Sequence, residues 1–146
     1  MAGPITTYFG TVYPAECDHM GHMNVAHYVA KFDHASWNLF FTIGASRESM
    51  NEHGYAIAAV EQKLAYKREL MPGDVIEVRS RLLEVRDKAI RFRHEMIHRL
   101  SGEIAATSEY VTVSMDRVRR KATPYPGAVL EAARKALAES GEENAR

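Results

Sequence analysis

The sequence predicts an α+β domain: a five-stranded antiparallel sheet wrapped around one long central helix, with a short helix near the C-terminus. Three observations carry this. Apolar residues keep a helical rhythm through residues 24–43, four later segments alternate with a period of two, and short turns separate those four segments.

Residues 5–14 (ITTYFGTVYP) are rich in β-branched and aromatic side chains and end at Pro14, which reads as a first strand. Residues 24–43 place Val25, Tyr28, Val29, Phe32, Ala35, Leu39, Phe40 and Ile43 at helical spacing, so one face is buried. Asn24 is suited to cap that helix, and Gly44 to stop it. Residues 45–55 (ASRESMNEHGY) are polar and glycine-bearing, which predicts a loop with at most a helical turn.

Residues 56–69 read as a strand marked by Val60, Leu64 and Tyr66, and Pro72-Gly73-Asp74 follows as a turn. Residues 75–86 alternate again. Residues 89–100 set Ile90, Phe92, His94, Met96 and His98 on one face, and residues 104–115 carry Tyr110, Val111 and Val113 in a last strand. Short loops imply antiparallel neighbours, and strand twist lets the sheet wrap the helix. Residues 117–126 are basic and broken by proline, residues 127–138 have helical spacing at Val129, Leu130, Ala133 and Leu137, and residues 139–146 form a polar tail expected to fray. The expectation is one domain over residues 1–146, with its core in residues 5–126.

Composition excludes several classes. The 146 residues are 46% hydrophobic and 26% charged, with 19 basic and 19 acidic side chains. A balanced charge offers no field toward nucleic acid or an anionic membrane, and no apolar run approaches the roughly 20 residues of a span. The lone Cys17 has no internal disulfide partner, and no secretory apolar segment is evident, which leads to the expectation of a cytoplasmic protein.

The chemistry concentrates at the start of the long helix. A loop bearing Asp18, His19, Gly21 and His22 leads into the cap Asn24 and the positive end of the helix. His19, His22, His27 and His34 with Asp18 invite a metal reading, but the spacing matches no zinc-site pattern, and no metal is expected. Cys17 lacks a recognisable partner and reads as a small packed side chain.

At these residues the chain resembles the 4-hydroxybenzoyl-CoA thioesterase-like branch of the hotdog-fold superfamily. The family pattern D-x-x-G-H-V-N-N-x-x-Y stands here as Asp18, Gly21, His22, Met23, Asn24, Val25 and Tyr28. Tyr66-Lys67-Arg68 followed by Gly73-Asp74 is similar to the family's Y-x-x-P-x-x-x-G-D hairpin, and Met115-Asp116 through Pro126 to its strand exit. Val25 replaces the usual second asparagine, and Glu69 the usual proline of the hairpin.

The resemblance implies an acyl-CoA thioester hydrolase with no metal and no organic cofactor, coenzyme A entering as part of the substrate. It implies a homodimer or homotetramer with sites between protomers. Asp18 would be the catalytic carboxylate, acting as general base on water or as nucleophile. The N–H of Val25 would stabilise the oxyanion, with Gly21, His22 and Asn24 shaping and capping the loop. Tyr28 and Glu61 are candidates for the substrate pocket, and Lys67, Arg68, Arg119 and Arg120 for the coenzyme A phosphates. Two other readings stay open on the sequence: an enoyl-thioester hydratase or dehydratase on the same fold, and a non-catalytic acyl-CoA-binding module.

Overall fold

The first two strands lie at opposite edges of a single sheet, and the chain between them is helical. The computed structural model describes residues 3–144. Its elements run β1 (Ile5–Thr11), a 3₁₀ turn (Pro14–Glu16), α1 (Val25–Thr42), α2 (Arg47–His53), β2 (Tyr55–Tyr66), β3 (Val75–Val85), β4 (Ala89–His98), β5 (Ile104–Asp116) and α3 (Gly127–Asn144). The five strands take the order β1-β3-β4-β5-β2, with every pairing antiparallel. The predicted α+β architecture, a five-stranded sheet around a long helix, is the observed hotdog arrangement.

The helix packs as its spacing dictates. Tyr28, Phe32, Ala35, Leu39 and Phe40 are buried along one stripe of α1. Against them, β4 points Ile90, Phe92, His94 and Met96 inward, all buried as their alternation predicts; His98, past a register shift, is buried as well but faces Asp74. Phe32 stacks on His94 with ring centres 5.7 Å apart, and Phe40 meets Phe92 edge-on at 5.5 Å. His94 sits in a fully satisfied polar thread: Nε2 lies 2.8 Å from the Ser36 hydroxyl, Nδ1 is paired with that of Ser80, and Ser80 reaches the Thr7 hydroxyl at 2.7 Å. Val129, Leu130 and Ala133 of α3 join the same core.

Four expectations are corrected. Residues 45–55 contain a two-turn helix, capped by the Ser46 hydroxyl on the Ser49 N–H and ended by Gly54 at φ 70°. It buries no side chain, so no apolar period announced it. Val60 and Tyr66 are exposed rather than inward-facing, because β2 is an edge strand whose residues 59–63, around a bulge between Ala59 and Glu61, are exposed on both faces. The C-terminal helix runs on to Asn144 instead of ending near residue 138; residues 145 and 146 lie outside the described residues.

The fourth correction positions the site. Residues 67–74 do not form a hairpin, since β2 pairs with β5 while β3 pairs with β1 and β4. The segment instead crosses the end of the sheet. Lys67 and Arg68 donate their N–H groups to Ala105 O at one side, and Gly73 donates to Val12 O at the other. Midway, Leu70 O accepts the Met23 N–H at 2.7 Å, so the crossing strap passes the start of α1.

Candidate active site

The loop ahead of α1 closes on itself before the helix begins. Cys17 and Met23 form an isolated antiparallel bridge, Asp18 donates its N–H to His22 O, and Gly21 turns the chain at φ 88°, a conformation open to glycine without strain. Asp18 Oδ1 accepts the Met20 N–H at 2.9 Å, and Oδ2 accepts from Asn24 Nδ2 at 3.0 Å. The Asn24 bond, reinforced by the Met20 N–H, holds the Asp18 carboxyl below its ordinary value, so it stands ready as a carboxylate.

Asn24 also caps the helix, as predicted: its Oδ1 accepts the Ala26 N–H at 3.0 Å. The His27 N–H goes to Asn24 O at 3.0 Å. Among the described residues, no acceptor engages the Val25 N–H. One unsatisfied donor therefore remains at the positive end of α1.

That donor's residue faces a cavity of about 270 Å³. One wall is loop and helix (His22, Met23, Val25, Tyr28), and the other is the end of β2 and the crossing strap (Tyr66, Lys67, Arg68, Glu69). Tyr28 and Tyr66 meet edge-to-face, 5.2 Å between ring centres at 87°. The Tyr28 hydroxyl donates to Arg68 O at 3.2 Å, and burial pushes its ionisation up. His22 Nε2 lies 3.5 Å from Glu69 Oε1. Asp18 does not itself line the cavity; it stands on the loop whose His22 and Met23 do.

The sequence candidates thus divide. Asp18, Gly21, His22, Asn24, Val25 and Tyr28 come together at one junction, joined by Lys67 and Arg68. The Arg68 guanidinium is already engaged by Glu103 and by the Ser101 hydroxyl. Glu61 lies elsewhere, lining a separate cavity with Lys63, Arg91 and Tyr110. Arg119 and Arg120 follow Asp116, which pairs with Tyr55, whereas the cavity sits at the Tyr66 end of β2. The twelve residues of that strand separate them by roughly 35 Å in the same chain.

Two features escaped the sequence reading. Glu69 is a wall of the cavity, legible only as a departure from the family's proline. Lys31, buried in the stripe of α1, donates to Glu16 Oε2 at 2.7 Å and pins the segment leading into the Asp18 loop. Burial alone would raise the Glu16 ionisation, but the Lys31 bond and the Tyr13 N–H outweigh it and hold it low. The Cys17 thiol is half-buried and pushed up by burial and by its acidic neighbours, in keeping with a packing role. Among the described residues, no three His, Cys, Asp or Glu side chains gather as a metal-binding group, and no helix is long and apolar enough to cross a membrane.

Comparison with known proteins now adds to this geometry. The sequence pattern of the thioesterase-like superfamily matches residues 12–133. A betainyl-CoA thioesterase of Pseudomonas aeruginosa is 30% identical over 140 residues, spanning 96% of this chain and 87% of the relative. A bifunctional L-carnitine dehydrogenase/betainyl-CoA thioesterase of Agrobacterium fabrum is 27% identical over 79% of this chain, which covers only 23% of that longer protein. A Staphylococcus aureus protein solved in complex with CoA superposes with a TM-score of 0.89 at 19% identity, over 96% of this chain and 89% of the other, which speaks to fold.

Proposed function

The chain belongs to the thioesterase-like superfamily and is a thioester hydrolase, and from that premise we propose that it cleaves an acyl-CoA to a carboxylic acid and coenzyme A through Asp18 and the Val25 N–H. The observation that carries this is the unengaged N–H of Val25, a residue of the cavity wall, beside a loop that presents an ionised carboxylate. A thioester oxygen placed at that donor gains charge as water or the carboxylate adds to the carbonyl, and the helix end stabilises it. Losing one such donor typically costs about 3–4 kcal/mol of barrier stabilisation. Collapse expels the coenzyme A thiolate; addition of water leaves the acid directly, whereas addition of the Asp18 carboxylate leaves a mixed anhydride that a water then cleaves to free the acid and restore Asp18.

By likeness to the Pseudomonas protein, the acyl group we assign is betainyl, the trimethylammonioacetyl group. Lys67, which has no ion-pair partner among the described residues, is the cation we assign to the coenzyme A phosphates. We also assign a dimer joined along β2. This outer strand is twelve residues long, exposes Val60 and Tyr66, and adjoins the exposed Trp37 of α1, and such an edge invites pairing with a second copy.

Thiol release from a panel of acyl-CoAs, followed for the wild type and for Asp18→Asn, tests the reading. Release that collapses by several orders of magnitude in the variant supports it. No thiol from any thioester, or a full rate in the variant, sinks it; binding without turnover would instead mark an acyl-CoA carrier.

A further inference from the structure

We infer that Tyr28, Tyr66 and Glu69 form the site that selects the acyl group, and that the group they select carries a quaternary ammonium; the inference rests on the hydrolase reading above. A quaternary ammonium has no N–H to donate. Proteins hold one with aromatic faces and with a carboxylate that attracts without a hydrogen bond. The cavity supplies both: two tyrosine rings set nearly perpendicular, and the Glu69 carboxylate on the adjoining strap.

Position decides between this cavity and a rival. Asp33, Trp37, Phe40 and Tyr110 also combine rings with an acid, around a smaller space between α1 and β2. At a rise of about 1.5 Å per residue, Asp33 lies roughly 12 Å along the helix from Val25. In a betainyl thioester, a single methylene separates the nitrogen from the carbonyl carbon. With the carbonyl oxygen at the Val25 N–H, the cation cannot reach Asp33 and must rest on the walls that also hold Val25. Those walls are Tyr28, Tyr66 and Glu69.

The neighbouring cations do not cancel the attraction. Arg68 is drawn off by Glu103 and Ser101. Lys67 also borders the adjoining cavity beside Lys63 and Arg93, where the anionic end of the substrate can take it. Glu69 keeps a side chain 71% exposed, and its nearest partner is His22, so it remains available to an incoming cation.

The test compares betainyl-CoA with 3,3-dimethylbutyryl-CoA, which has the same shape with carbon in place of nitrogen. The wild type is expected to favour the cation by roughly 5–30-fold in kcat/KM, the range such contacts supply. Glu69→Gln and Tyr66→Leu should each lower that ratio severalfold, and Tyr66→Phe, which keeps the ring, should retain it. Equal rates on the two thioesters, equal losses on both in Glu69→Gln, or a ratio that falls in Asp33→Asn and not in Glu69→Gln would overturn the assignment while leaving the hydrolase intact. Hydrolysis of neither thioester overturns the hydrolase reading and this one with it.

Discussion

Asn24 serves Asp18 and the helix with opposite ends of one amide: Nδ2 donates to Asp18 Oδ2 at 3.0 Å, while Oδ1 accepts the Ala26 N–H at 3.0 Å. The two jobs are separable by substitution. Asn24→Ala loses both and should cost about 1 kcal/mol of stability along with much of the activity. Asn24→Ser restores a cap without reaching Asp18. It should recover most of the melting temperature and little of kcat/KM. Recovery of both together would show that Asn24 acts as a cap alone.

The same bond sets the acid limb of the rate. A carboxylate held below its ordinary value keeps its charge to lower pH, and activity falls only as pH drops through that lowered value. Removing the Asn24 amide takes away the leading cause of the lowering. The acid limb of kcat/KM should therefore move to higher pH in Asn24→Ala. A pH–rate profile unchanged in position would refute this.

Stability should respond to pH in two windows. Burial drives His94 down to about 3, so the unfolded chain binds a proton at His94 before the folded protein does. Its contribution is fully present above about 6.5 and is lost as pH falls from there toward 3. Glu77, although burial would raise it, is brought to about 2 by bonds from Arg79, Thr6 and Arg99. Its contribution, roughly 2–3 kcal/mol, is present above about 4.5 and fades as pH falls toward 2. Denaturant unfolding of Glu77→Gln should flatten only the second window.

Lys31 and Glu16 hold the approach to the loop, and their separate roles can be read from a double variant. Lys31→Met takes the ammonium from the half-buried Glu16 carboxylate, which keeps the Tyr13 N–H and the neighbouring His27, and should cost about 2 kcal/mol. Adding Glu16→Met removes the under-paired charge and should restore most of the melting temperature. The rate should stay depressed, because Glu16 also anchors the Tyr13 N–H ahead of the loop. Full recovery of kcat by the double variant would limit the pair to a stabilising role.

The edge of β2 predicts assembly. Val60→Asp places a charge where a second copy would pair, and should shift the protein toward monomer in sedimentation and lower its activity in step. A monomer with undiminished kcat would remove the partner from the site.

How much of this was legible in the sequence depended on whether the signal was local. Asn24, Gly21 and the stripe from Tyr28 to Phe40 declare themselves within a few residues of chain, so the cap, the turn and the buried helix follow from spacing alone. The inward face of β4 did too, because its alternation is unbroken from Ile90 to Met96. Val60 misled because β2 is an edge strand exposed on both faces at that point, and edge position is not written in a local period. Lys31 was hidden by its own position: it is a charge inside an apolar stripe, and its partner Glu16 comes from another segment. The strap was misread because Pro72-Gly73-Asp74 specifies a bend but not which strand lies beyond it, and strand order is a long-range property.

That strap has a further consequence. Two of its ties to the chemical loop and helix use its own main-chain atoms: Leu70 O accepts the Met23 N–H, and Arg68 O accepts the Tyr28 hydroxyl. The side chains at positions 67 and 69 can therefore be exchanged without unfastening the helix start. The strap's share of substrate selection thus hangs on main-chain bonds to the loop and helix, while Tyr28 shares α1 with the Val25 donor and Glu69 adds a side-chain contact to His22. A lineage, or an engineer, could rewrite the menu of acyl groups through those positions while the main-chain fastening of the helix start is kept.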